Sequence, residues 1–68
     1  MVDWTQVRIG RLFLPIRIER ALLRAGVKDA STLFHLTERE LLKVPQIGPK
    51  SLDEIRSMIA PFGVRLRP

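Results

Sequence analysis

The chain has 68 residues, enough for one small domain. It contains no cysteine, which excludes disulfides and thiolate metal sites, and no apolar run approaches the roughly 20 residues that a membrane-spanning helix needs. Twelve basic residues against seven acidic ones give a net charge of +5, and an apolar content of 46% is typical of a folded domain rather than a disordered tail.

The excess positive charge lies at the two ends of the chain. Residues 1–26 carry five arginines against two carboxylates, residues 27–60 are balanced, and the segment from Pro61 adds Arg65 and Arg67 without an acid. Because the guanidinium group is planar and forked, arginine suits phosphates and base edges. Nucleic acid is therefore the first candidate partner, and a charge that serves only solubility is the alternative.

Four helices and no strand are predicted, which makes the fold class all-α. The helical period and the start and stop residues place the helices at residues 15–25, 30–35, 38–43 and from 49 onward. Gly26 ends the first helix, and Thr37 with Glu40 forms a capping box at the start of the third. The last two helices are joined by only "VPQIG", so they form a helical hairpin, with Gly48 as the turn residue before Pro49.

The core is predicted from positions that recur with the helical period. These are Leu14, Ile18, Ala21, Leu22 and Ala25, then Leu33 and Phe34, then Leu41 and Leu42, and finally Leu52, Ile55 and Ile59, with Met58 at the flank. Residues 1–12 are predicted to be an arm or linker that packs on the domain, and residues 13–68 are the helical domain itself. Trp4 is expected to fold onto the core, since aromatic side chains supply much of the burial in a small domain.

The start of the fourth helix has the features of an anion site. A helix start leaves up to four backbone N–H groups without partners, and these carry partial positive charge. Pro49 has no backbone N–H to donate, whereas Lys50 and Ser51 keep theirs and add a side-chain ammonium and a side-chain hydroxyl. Gly48 has no side chain, so another backbone can approach closely. A nucleic-acid phosphate is the natural occupant. The alternative is an ordinary helix start with Lys50 as a solvated charge.

Three arginines form a stripe on the first helix. Arg17, Arg20 and Arg24 are spaced i, i+3 and i+7, which places the stripe about 110° round from the centre of the apolar face. The stripe is therefore exposed or on the rim, and the alternative to a binding role is a solvated face. If the first helix packs beside the hairpin, the stripe and the anion site share one surface.

The sequence does not point to catalysis, a cofactor, a metal or a small-molecule substrate. Ser31 and Ser51 have no His–Asp partnership through the lone His35. Asp53 and Glu54 are adjacent, so they cannot point into a common site as an acid–base pair would. We expect a binding domain that is not an enzyme.

The residues match a known family. The run "PIRIERALLRAGV…TLFHLTERELLKVPQIGPKSLDEIRSMI" resembles the C-terminal domain of the bacterial RNA polymerase alpha subunit from about Leu14 to Ile59. The most specific part is "LTERELLKVPQIGPKSLDEI", which is similar to that family's T-E-x-E-L-L-K-x-P-N-L-G-x-K-S-L-x-E-I run. The resemblance implies a compact bundle of four helices plus an irregular N-terminal segment, in which the last two helices form a helix-hairpin-helix.

The resemblance also implies DNA binding in the minor groove of A·T-rich sequence upstream of promoters. The family's groove-inserted arginine falls on Arg17, and its phosphate-side and groove-side residues fall on Gly48, Lys50 and Ser51. The acidic residue that supports the arginine in the family falls on Glu54.

The sequence departs from the family at several positions. Arg20 stands where the family has a groove-contacting asparagine, Gln46 replaces a hairpin asparagine, and Pro49 replaces a hairpin lysine. The acidic residues with which the family touches the promoter-recognition factor are Arg11 and Phe13 here, so that contact is not expected to carry over.

We therefore expect a cytoplasmic, nucleoid-associated protein of transcription that binds double-stranded A·T-rich DNA, with RNA polymerase or transcription factors as further partners and no membrane. The expected contacts are Arg17, Arg20, Arg24, Gly48, Lys50, Ser51 and Glu54. One alternative is a protein-interaction adaptor that uses Trp4, Phe13 and the Arg65/Arg67 tail, and another is a generic helix-hairpin-helix that binds duplexes without A·T preference. Because an alpha subunit is several times longer, the start "MVDWTQVRI" favours a free-standing protein, or a domain of another parent, over an excised fragment.

Overall fold

The computed structural model describes residues 1–68 and has four α-helices and three short 3-10 turns, with no strand. The helices are α1 (Ile16–Arg24), α2 (Ala30–His35), α3 (Glu38–Leu42) and α4 (Pro49–Ile59), and the 3-10 turns cover Trp4–Gln6, Ile9–Leu12 and Ala60–Phe62. The predicted all-α class and the four predicted helices are confirmed. None of these helices has the length and apolar character that crossing a membrane requires.

Both ends of α1 lie within one residue of the predicted bounds. Pro15 is the N-cap, and Gly26 follows the C-cap with a φ of 88°, which glycine adopts without a steric penalty. The amide of Val27 donates to the carbonyl of Leu22 at 2.9 Å, and the amide of Gly26 donates to the carbonyl of Leu23 at 3.0 Å. This pair of bonds is a Schellman motif, which satisfies carbonyls that the end of the helix would leave free.

Side-chain caps begin the two short helices. The Asp29 carboxylate accepts from the Thr32 amide at 2.7 Å at the start of α2. At α3 the predicted capping box is confirmed, since Thr37 Oγ1 accepts from the Glu40 amide at 3.0 Å and Glu40 Oε1 accepts from the Thr37 amide at 2.8 Å. These hydrogen bonds favour the charged carboxylates, so they lower the pKa of Asp29 and the pKa of Glu40.

Fourteen buried side chains, all apolar, form one core. Nine of the predicted core residues belong to it: Leu14, Ile18, Ala21, Leu22, Leu33, Leu41, Leu52, Ile55 and Ile59. The others, which the helical period does not mark, are Ile9, Leu12, Val27, Ala30 and Ile47. They come mainly from the N-terminal segment and the loops, where the direction of a side chain depends on how the segment docks.

Two core predictions are wrong and a third is partly so. Leu42 is 44% exposed, because α3 has only five residues and its single inward position is taken by Leu41. Ala25 is exposed because α1 has already ended there. Phe34 is half-buried, and its ring packs edge-to-face with Trp4, with ring centroids 5.1 Å apart.

The N-terminal segment 1–12 packs along α2. The Ile9 amide donates to the Lys28 carbonyl at 2.9 Å, and the Ala30 amide donates to the Val7 carbonyl at 2.7 Å. Trp4 is folded onto the core as predicted, in edge-to-face contact with Phe34 and with Phe62, whose centroid lies 5.5 Å away. A division of the chain at residue 12 stays a prediction.

Candidate nucleic-acid interface

The two sides of α1 face different parts of the molecule. On one side, a Cβ placed on Gly10 would lie 3.5 Å from Oε1 of Glu19, and Leu23 lines a depression with Arg8 and Lys28. This side therefore faces the N-terminal segment. The other side carries Ala21, with Arg17 four residues before it and Arg24 three residues after it, so all three are neighbours on the helix surface.

The arginine side of α1 faces the hairpin loop. Ala21, Arg24 and Ala25 line a cleft of about 130 Å³ together with Pro45 and Gln46 of the loop. The small alanine side chains leave room for this cleft between the helix and the loop. Of the arginine stripe predicted from spacing, Arg24 borders the hairpin loop, and Arg17, Arg20 and Arg24 are all exposed.

The start of α1 also lies close to the start of α4. Pro15, the N-cap of α1, lines a shallow depression with Lys50 and Glu54 of α4. Both ends of α1 are thus beside the hairpin, the start beside α4 and the end beside the loop. These two contacts bring Arg24 beside the loop and Pro15 beside Lys50. That the whole arginine stripe and the anion site form one surface stays a prediction.

The first turn of α4 has unpaired backbone donors. Gly48 is the N-cap and has no side chain to accept a hydrogen bond, and the first helical bond runs from the Leu52 amide to the Gly48 carbonyl at 2.9 Å. The amides of Lys50 and Ser51 donate to no group of the protein. They are two of the orphan donors that give a helix start its partial positive charge.

Gly48 has space around it but is not the left-handed residue of the loop. Its φ is −112°, and a Cβ built on it would meet no atom within 4 Å. The positive φ falls on Gln46, at 72°. The prediction that Gly48 makes the turn is therefore wrong, although the open space at Gly48 leaves its backbone approachable. Gln46 bears the left-handed conformation because Ile47 must point into the core, where it is 4% exposed.

The cations of this surface are free of internal partners. The two ion pairs of the protein both involve Arg56, which binds Glu38 and Asp53. Arg17, Arg20, Arg24 and Lys50 form none. Asp53 also lines the depression that contains Lys50. Glu54, which the resemblance assigns as a support for Arg17, is half-buried in the depression beside Pro15 and is not paired with that arginine.

The fold and this surface define a class of protein: a small all-α domain whose terminal helix-hairpin-helix presents, beside the first helix, a face of unpaired cations and free amide donors. The model of the family described as the C-terminal domain of the bacterial RNA polymerase alpha subunit matches residues 3–61. The protein belongs to this family. The predicted resemblance is confirmed, and the match begins earlier in the sequence than Leu14.

Comparison with known proteins finds bacterial relatives of the same kind. The DNA-directed RNA polymerase subunit alpha of Deinococcus radiodurans is 40% identical over 65 residues, which cover 96% of this chain and 19% of that subunit. The corresponding subunits of Symbiobacterium thermophilum and Heliobacterium modesticaldum are 37% and 36% identical over 62 residues, which cover 91% of this chain and 20% of each subunit. The chain thus spans about a fifth of the length of these relatives.

Proposed function

We propose that this domain binds double-stranded DNA in the minor groove of A·T-rich sequence and acts in transcription. Arg17 enters the groove with Arg20 beside it, and Arg24 follows along the stripe. The ammonium of Lys50, the hydroxyl of Ser51 and the backbone amides from Gly48 to Ser51 hold the flanking phosphates. Glu54 is assigned to support Arg17 on DNA rather than to touch DNA, and in the free protein the two side chains form no ion pair.

The observation that supports this proposal is that both ends of α1 border the hairpin, with Arg24 beside Gln46 and Pro15 beside Lys50. Arg17, Arg20, Arg24 and Lys50 are exposed and form no ion pair, and the amides of Lys50 and Ser51 lack an acceptor. A-tracts narrow the minor groove and deepen its negative potential, which draws in arginine without a need for base-specific hydrogen bonds. The minor groove of an A-tract supplies the negative charge and the hydrogen-bond acceptors for which these cations and amides have no partner within the protein.

The size of the domain predicts weak binding by one copy. Three or four phosphate contacts give a salt slope of about −3 to −4, and the affinity at physiological salt is roughly 10⁻⁴ to 10⁻⁶ M, the range of non-specific binding. Useful occupancy then needs a second copy or a tether, which raises the effective concentration of the domain near its site. Attachment to RNA polymerase, or to a transcription factor, in the cytoplasm at the nucleoid would supply that tether.

Titration of two duplexes tests the proposal. An A-tract duplex and a G·C-rich duplex are titrated at two salt concentrations with the wild type, with Arg17→Ala, and with Arg65→Ala as a control that removes the same charge near the C-terminus. We expect Arg17→Ala to lose about tenfold in affinity for the A-tract, in line with about 1–3 kcal/mol per specific arginine. The control should lose less than about twofold.

Three results separate the alternatives. Equal binding by Arg17→Ala and the wild type would rule out the groove role. Equal affinity of the wild type for both duplexes would favour a generic helix-hairpin-helix. No DNA binding, with retention of a polymerase or transcription-factor partner, would favour a protein-interaction adaptor.

A further inference from the structure

An exposed apolar pair stands at the start of α1. Phe13 is 80% exposed and Ile16 is 65% exposed, whereas their neighbours Leu12 and Leu14 are buried. The other three aromatic side chains belong to one cluster, in which Trp4 contacts both Phe34 and Phe62. Phe13 is therefore the one aromatic ring of this protein that is left without a partner.

The backbone holds Phe13 outward. Its φ of 57° and ψ of 36° are left-handed, a conformation that is unfavourable for a side chain other than glycine, asparagine or aspartate. The residue ends the 3-10 turn Ile9–Leu12 and comes two residues before Pro15. With Leu12 and Leu14 both anchored in the core, the ring between them projects into solvent.

The apolar pair is continuous with the cationic face. Ile16 precedes Arg17 and lies one helical turn before Arg20. Pro15, between Leu14 and Ile16, lines the same depression as Lys50. The cations nearest to Phe13 in the sequence, Arg11 and Arg17, are exposed and unpaired. Asp53 and Glu54 line that depression as well, but the two cations closest to Phe13 in the sequence favour an anionic partner.

We propose that Phe13, backed by Ile16, is an apolar wedge that enters the DNA minor groove beside Arg17 and partly unstacks a flexible pyrimidine–purine step. This inference rests on the proposed DNA binding. Proteins of the minor groove insert apolar side chains between base steps next to their arginines, and the wedge bends the duplex toward the major groove. TA steps are the easiest to unstack, whereas uninterrupted A-tracts are stiff.

The wedge changes the expected target. Arg17 alone favours a narrow groove and hence an uninterrupted A-tract, while Phe13 favours a TA step. Both are satisfied by an A-tract that ends in a TA step. This domain should therefore prefer such a junction over an unbroken A-tract of the same length, and should bend it.

The experiment compares duplexes with and without the TA step. Binding is measured for an unbroken A-tract and for an A-tract ending in TA that carries 2-aminopurine at the step, with dyes at the duplex ends to report bending by energy transfer. The variants are Phe13→Ala, Phe13→Asn, which suits the left-handed backbone without supplying a ring, and Phe13→Leu. Leu42→Ala, which removes an exposed apolar side chain from α3, is the control.

Phe13→Ala and Phe13→Asn should lose about tenfold in affinity for the TA duplex, as expected for the loss of one base–aromatic contact, and about twofold or less for the unbroken A-tract. The wild type should raise the 2-aminopurine fluorescence and bend the TA duplex. Phe13→Leu should retain part of both effects, and Leu42→Ala should match the wild type. Unchanged affinity, fluorescence and bending in both Phe13→Ala and Phe13→Asn would overturn the wedge. If Arg17→Ala still loses affinity in that case, the proposed function stands and only the wedge fails.

Discussion

Arginine has two different roles on the two sides of this small domain. On α4, Nε of Arg56 donates to Oε2 of Glu38 at 2.7 Å and Nη1 donates to Oδ1 of Asp53 at 2.6 Å. On α1, Arg17, Arg20 and Arg24 have no carboxylate within ion-pair distance. The residue type is the same, so the difference comes from the fold, which places carboxylates beside Arg56 and none within ion-pair distance of the three arginines of α1.

The ion pair between Arg56 and Glu38 shifts the pKa of both groups. The hydrogen bond from Arg56 lowers the pKa of the Glu38 carboxyl, and the same bond raises the pKa of Arg56. The pair joins α4 to the first turn of α3, where the Glu38 amide also donates to the Arg67 carbonyl at 2.6 Å. The charge of Arg56 is thereby compensated within the protein, whereas Arg17, Arg20 and Arg24 have no ion-pair partner.

The largest effect is expected from removing the free arginines together. Arg17→Ala/Arg20→Ala/Arg24→Ala should lower the affinity for A-tract DNA by about 100-fold or more and flatten the salt dependence by about two to three units of slope, because each arginine neutralises charge in or near the groove. The melting temperature should stay close to that of the wild type, since none of the three is in an ion pair. Fluorescence anisotropy across a salt series and thermal melting check both parts. A collapse of stability with little loss of affinity would show that these arginines hold the fold.

The opposite outcome is expected for Arg56→Ala: a lower melting temperature and an affinity for DNA within about twofold of the wild type. The difference in melting temperature should depend on pH. Because the folded pKa of Glu38 lies below its ordinary value of 4.5, the stabilisation is fully present above pH 4.5 and is lost as the pH falls through the lower, folded pKa. Melting curves from pH 7 to pH 3 should therefore converge for the two proteins. A difference that is constant over this range would contradict a stabilising role for this ion pair.

The smallest effect is expected in the hairpin loop that borders the free arginines. Gln46→Gly should raise the free energy of unfolding by about 0.5–1 kcal/mol, since glycine adopts a positive φ without the clash that a Cβ brings. Gln46→Ala keeps the Cβ and should bring no gain, so it serves as the control in denaturant unfolding. A Gln46→Gly protein that is less stable than the wild type would contradict backbone strain at this position.

Features that rest on neighbouring residues could be predicted well. The helix end at Gly26, the capping box of Thr37 and Glu40 and the start of α4 at Pro49 depend on residues within one turn of one another. The arginine stripe depends on spacing alone in the same way. Family membership could be recognised for a similar reason, because the run across α3, the loop and α4 is continuous in the sequence.

Features that depend on docking could not be predicted from spacing. Leu41 and Leu42 are equally apolar, and only the position of α3 against α4 decides that one is buried and the other exposed. Ile9 and Leu12 enter the core because the N-terminal segment bonds to residues 28 and 30. Phe13 and Gln46 have left-handed backbones although neither is a glycine or an asparagine, so the residue type gives no hint of this conformation. The burial of their neighbours in the core imposes it.

The sequence by itself determined the helical class, the approximate bounds of the helices, the excess of arginine and the family, because periodicity, capping and charge are local properties of a polypeptide. Only the tertiary structure decided which arginines have acid partners, that α1 turns its arginine side to the hairpin, and that Phe13 stays in solvent. These outcomes depend on contacts between segments far apart in sequence, and burial of the fourteen core residues, rather than any local preference, sets the orientation of each segment.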